Sequence, residues 1–173
     1  SVVGLAVRGA QLEALGIGRR LDDDVLAEQD AFAEAPDRQR LDVLTHAGDP
    51  ISGIQMVLKV VADEFCDERL VDKVELGCPL NNLAQEMSPL DERFRRRVAV
   101  VFETWIESFA QALERGRKDG TVRRDVDARK VATFVVASVE GSFGLAKNAK
   151  SAPLLRENLE VLTEFLEGLR AVP

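Results

Sequence analysis

A chain of 173 residues with 46% hydrophobic content can bury the core of one domain. Its formal net charge of −7 advertises no phosphate-binding surface, and no charge-free run reaches the roughly 20 apolar residues of a membrane-spanning helix. Two cysteines, Cys66 and Cys78, make no disulfide scaffold, and one histidine, His46, gives no zinc-ligand spacing.

Residues 1–48 are the least regular part. Gly4, Gly9, Gly16 and Gly18 interrupt any helix. The run Asp22, Asp23, Asp24 suits a helix start, because carboxylates favour the positive end of the helix dipole, and that helix would reach about Ala35. Five basic residues stand against nine acidic ones. A basic n-region followed by an apolar h-region is not recognisable, which, with two thiols expected to be reduced and mostly buried, predicts a cytoplasmic protein. A serine at position 1 suits a processed or partial chain.

A second region is expected over 49–173. Asp49 is a good N-cap and Pro50 a good first helical residue; Ile51, Ile54, Leu58, Val61 and Phe65 follow at helical spacing. Gly77 and Pro79 open a short helix whose apolar face is Leu80, Leu83, Ala84 and Met87, ended by Ser88-Pro89. A long helix is predicted from about Asp91 to Lys118, with Phe94, Val98, Val101, Phe102, Trp105, Phe109 and Leu113 in its stripe and Gly120 as its stop. Either Asp125 or Asp127 caps the next helix. Its stretch 131–146 holds a single charge, Glu140, and a helix apolar on nearly all sides is expected to be buried on nearly all sides. Ser151 caps the last helix, where Leu155, Leu159, Leu162, Leu166 and Leu169 form a heptad-like seam. The fold class is all-α, a bundle of about six helices.

Catalytic chemistry is hard to place. A di-iron bundle needs Glu-x-x-His pairs, and the acidic run lacks DDxxD spacing because position 26 is leucine. "GIG" at 16–18 lacks the third glycine of a dinucleotide fingerprint, and one histidine supports no Ser-His-Asp constellation. Hence no catalytic residue, metal or cofactor is expected.

Several short motifs occur in a set order: Gly77-Cys78, then Asn82-Leu83-Ala84 and Glu86, then Trp105 on the long helix, then Gly120, Val122, Arg123, Asp125 and Asp127, then Glu140-Gly141. In this order the segment from about 50 to 170 resembles the C-terminal effector-binding and dimerisation domain of TetR-family transcriptional regulators. That resemblance implies a helical domain around a small-molecule cavity and a homodimer built from its last two helices. It also implies DNA reading by an N-terminal helix-turn-helix. No such unit is recognisable in residues 1–48, so this chain is not expected to bind duplex DNA specifically. The rival reading is a helical small-molecule-binding protein or enzyme with no DNA-binding role.

On this resemblance, a small apolar or amphipathic effector is expected against Leu58, Cys78, Asn82, Leu83, Met87, Phe102, Trp105, Phe109, Phe134 and Ser138. For the asparagines an alternative is open, that they cap helices or bond backbone locally. Trp105, Phe102 and Phe109 also fit plain core packing. The expected dimer interface holds Ala137, Glu140, Gly141, Gly144, Leu159, Leu162 and Leu166, with intrachain packing as its alternative. Arg93, Arg95, Arg96 and Arg97 read as a solvated helix start, with a phosphate contact as the rival.

Overall fold

The computed structural model describes residues 41–45, 47–66 and 76–171. Two compact units are distinguished, Ser1–Arg38 and Gln39–Pro173, and the described residues all belong to the second. The expectations for Asp22, Asp23 and Asp24 and for His46 lie outside them. Composition alone does not separate helical residues 41–45 from the segment before them. They belong to the second unit because Leu44 is buried in its core and its carbonyl accepts a bond from Arg115 Nη2 at 2.6 Å.

Five helices follow: α1 Pro50–Phe65, α2 Pro79–Met87, α3 Glu92–Asp119, α4 Ala128–Ala149 and α5 Ala152–Glu167. The domain is all-α; among the described residues the extended pairing is a single bridge between Val122 and Arg170. Each helix starts where its sequence provides a cap. The side chains of Asp49, Asp91, Asp127 and Ser151 accept bonds from first-turn N–H groups, and Asp127 rather than Asp125 takes the cap of α4. The helix α3 ends at Gly120, whose φ of 85° is the left-handed conformation that glycine adopts at least cost.

The helix α3 packs on α4, α4 on α5, and α1 lies across α3 and α5. Ile51, Ile54 and Leu58 of α1 meet Leu113, Val135, Leu155 and Leu166 in one core. Two expectations change here. The seam leucines Leu159, Leu162 and Leu166 are buried within this chain and are not available to a second subunit. They lie on the side of α5 that serves the chain's own core. Nor is α4 covered on all sides. It lies at the edge of the bundle, so Phe134 and Leu145 stay 52% and 60% exposed, and Ala137, Gly141 and Gly144 are open too.

The helix α5 stops at Glu167, short of the expected seam residue Leu169, because the next residues pair elsewhere. Arg123 N–H donates to the Leu169 carbonyl and Ala171 N–H to the Thr121 carbonyl, both at 3.0 Å. This strap accounts for the motif at 120–127. Val122 and Val126 are buried, Arg123 pairs with Asp125 and reaches the Gly168 carbonyl, and Asp127 caps α4. Gly116 is required just before it. A Cβ there would lie 2.5 Å from Val122 Cγ2 and 3.0 Å from Pro50 Cγ.

Candidate functional site

The segment from Gly77 to Met87 is fixed by polar links. Gly77 has φ 70° and is buried, with Lys147 Cδ only 3.1 Å from where a Cβ would stand. Cys78 is the N-cap of α2, its sulfur accepting from Asn81 N–H. Asn82 Nδ2 donates to the Leu76 carbonyl at 2.7 Å, and its Oδ1 accepts from Lys147 Nζ at 3.1 Å. Asn82 therefore takes the local bonding role that stood as its alternative, and at the same time ties α2 to α4. None of the residues of α2 is buried. Leu83 is exposed and Met87 half-buried.

Behind α2 stand half-buried groups of α3 and α4. Phe102 and Trp105 meet edge to face, 5.5 Å apart, and with Cys78 and Val139 they pack against the core. Glu140 reaches Cys78 from α4. Burial first, and then this carboxylate's charge, pushes the Cys78 thiol up to about 12. The thiol of Cys66 donates to the Ala152 carbonyl at 3.3 Å and is also shifted upward by burial. Both cysteines are free thiols held protonated at neutral pH.

The ten expected effector residues do not all meet. Leu58 and Phe109 are closed inside the core. Phe134 and Ser138 lie on another side of α4. Arg129 marks the side facing α3, since it pairs with Glu103 and Glu107 at 2.6 and 3.2 Å. At about 100° per residue, Phe134 lies about 140° around the helix from Arg129 and Ser138 about 180°. Phe134 instead meets Phe165 of α5 edge to face, with centroids 5.2 Å apart. Cys78, Leu83, Met87, Phe102 and Trp105 remain around α2 and α3. Sequence spacing missed Val139 and Glu140 in this neighbourhood, although the lone charge in 131–146 was a visible signal.

Two open surface clefts of about 560 and 570 Å³ lie elsewhere. One is charged, between α3 and the turn before α4; the other lies beside residues 42–56, and neither holds any of the ten. Among the arginines of the α3 start, Arg95 and Arg96 pair with Glu92 at 2.6 and 3.0 Å. Their charge is thus partly neutralised on their own helix. Among the described residues no acidic, cysteine or histidine group could hold a metal ion, and no helix is long and apolar enough to cross a membrane.

This arrangement of helices matches a known domain. The family model for the LmrA/YxaF-like transcriptional regulator C-terminal domain, of TetR type, matches residues 50–160. The chain belongs to this TetR-type family. A TetR transcriptional regulator from Chloroflexus aurantiacus J-10-FL superposes with a TM-score of 0.73 at 24% identity, covering 87% of this chain and 75% of the other. Regulatory protein TetR from Rhodobacter sphaeroides gives 0.63 at 22% identity, over 82% and 71%. At these identities the solved structures speak for the TetR-type fold. In sequence, the HTH-type transcriptional repressor DhaR of Mycobacterium sp. (strain GP1) is 31% identical over 90 residues, 52% of this chain and 46% of the relative. An HTH-type regulator encoded in the lacX 3′ region of Lactococcus lactis subsp. lactis is 28% identical over 110 residues, 64% and 54%. The chain spans about half the length of these curated relatives.

Proposed function

We propose that this domain is the effector-binding and self-associating part of a ligand-responsive transcriptional regulator. The observation that carries the reading is the match of residues 50–160 to the regulator C-terminal domain. A small apolar or amphipathic effector binds beside α2, against Met87, Phe102 and Trp105, with Cys78 and Glu140 as the polar groups that orient it. Because α2 buries none of its own residues, displacing it costs little.

Self-association uses the open sides of α4 and α5. Phe134, Leu145, Val161 and Phe165 are all large, apolar and exposed there. Gly141 and Gly144 support the same reading. Among the described residues nothing lies within 4 Å of a Cβ built at either position, so packing among them gives no reason for glycine. Mid-helix glycine costs about 1 kcal/mol relative to alanine, a cost that close approach of a second helix explains. The helix α4 touches both regions, through Glu140 and Lys147 on the α2 side and Ala137 and Gly141 on the open side. An effector that fits one subunit arrangement better than another therefore shifts the balance between them. DNA is read only through a helix-turn-helix region that is not recognisable in this chain, and the spacing of two such units changes with the arrangement.

Two measurements test this. Sedimentation at micromolar concentration should give a dimer, and Gly141→Leu should weaken it by steric exclusion; a monomer refutes the subunit reading. Titration with the amphipathic dye 1-anilinonaphthalene-8-sulfonate should shift Trp105 emission saturably, the chain's one indole signal. Dye binding that leaves Trp105 unchanged refutes the proposed effector region.

A further inference from the structure

Successive residues of an α-helix advance about 100°, so positions 154, 155, 158, 159, 161, 162, 165, 166 and 169 of the α5 segment fall within one sector of about 160°. Eight of the nine are Leu, Val or Phe; the ninth is Asn158. It lies between the buried seam on one side and the stripe of Leu154, Val161 and Phe165 on the other. Its Nδ2 is buried and, among the described residues, has no hydrogen-bond partner. A buried amide donor left in this condition is costly, although the residue itself is only half-buried.

We propose that Asn158 fixes the register of self-association, its carboxamide pairing with Asn158 of a second copy of this chain. The inference rests on the subunit reading given above. In a two-fold interface each patch meets itself, so a residue near the axis meets its own copy. Two carboxamides facing each other exchange two hydrogen bonds, each N–H donating to the other's carbonyl oxygen. The pairing requires the side chain to rotate from the seam toward the stripe, which would also give the unpartnered donor its acceptor. Everything else on the stripe is apolar and would tolerate sliding by a turn. One polar residue in such a surface specifies register and subunit number at a cost in stability, as a single asparagine does in a coiled coil. The second copy is the occupant the chemistry selects. The stripe itself carries no charge, its acidic border on α5 being Glu157, Glu160 and Glu164, and between Phe134 and Leu145 of α4 the one charge is Glu140, which is directed to Cys78.

The test compares the wild-type chain with Asn158→Leu and Asn158→Asp by sedimentation from low micromolar concentrations upward. Helical circular dichroism verifies that each is folded. Wild type should be a single dimer. Asn158→Leu should associate more tightly, or split into dimers and larger species, because the apolar sector is then continuous. Asn158→Asp should weaken the dimer at least about tenfold at pH 8, where two carboxylates would face each other. Association should return toward pH 4 as one of them takes a proton. A wild-type monomer overturns the subunit reading and this inference with it. A wild-type dimer whose subunit number and affinity are unchanged in both variants leaves the subunit reading intact and overturns the role of Asn158 alone.

Discussion

The two ends of this bundle are built on opposite principles. At the strap end, Val122 and Leu166 are fully buried, Gly116 leaves no room for a methyl group, and backbone pairing ties the turn after α3 to the last residues of the chain. At the α2 end, a nine-residue helix with no buried residue is held by Asn82, Lys147 and Cys78. Apolar burial is nearly proportional to area and is lost only by opening the core, whereas a few exposed hydrogen bonds contribute about 1 kcal/mol each. The molecule thus separates the part that must hold from the part that can yield to a ligand.

The contrast breaks most readily in the core that the strap end shares. Leu113→Ala removes a fully buried side chain and should destabilise the domain by about 2–5 kcal/mol in denaturant unfolding. Gly116→Val should follow at about 1–3 kcal/mol, because Val122 and Pro50 have no flexible end to move aside. Asp49→Ala comes next, at about 1 kcal/mol for the lost cap. Burial alone would raise this carboxyl. The Ser52 hydroxyl and N–H, together with Arg170 at 2.8 Å, outweigh it and hold the group below its usual value. A depressed folded-state pKa stabilises above the unfolded value of 3.8 and is lost as pH falls through the folded value. Acid unfolding of Asp49→Ala should therefore show a weaker pH dependence than wild type below about pH 4. The smallest effect is expected at the other end. Asn82→Ala should change global stability by no more than about 0.5 kcal/mol, while amide exchange over 79–87 quickens. A loss above 2 kcal/mol there would erase the distinction between the two ends.

Most of the architecture was legible in the sequence because helix boundaries are written in local chemistry. Asp49-Pro50, Asp91, Gly120 and Ser151 each stop or start a helix where predicted, and Asp127 is one of the two caps left open for α4. What periodicity could not supply was which neighbour each apolar face meets. The leucine seam of α5 fits an internal and an external partner equally well by spacing, and the structure gives it to the chain's own core. The same limit misled the expected effector wall. Phe134 and Trp105 are both aromatic and both at helical spacing, yet they lie on different sides of α4, a difference visible only once Arg129 shows which side faces α3. Asn82 was legible as polar and out of place, but its partner Lys147 is 65 residues away.

The pairing of Arg170 with Asp49, Ser52 and Glu167 joins the end of the domain to its beginning. During synthesis the cap of α1 emerges more than 100 residues before the arginine that completes it. A nascent chain that has made α1 to α4 still lacks α5, the strap and this arginine. Its seam-facing core residues have nothing to close on. The domain is therefore expected to reach its final packing only once Arg170 has emerged, and a message truncated shortly before residue 170 should yield a product that proteases remove rather than a working fragment.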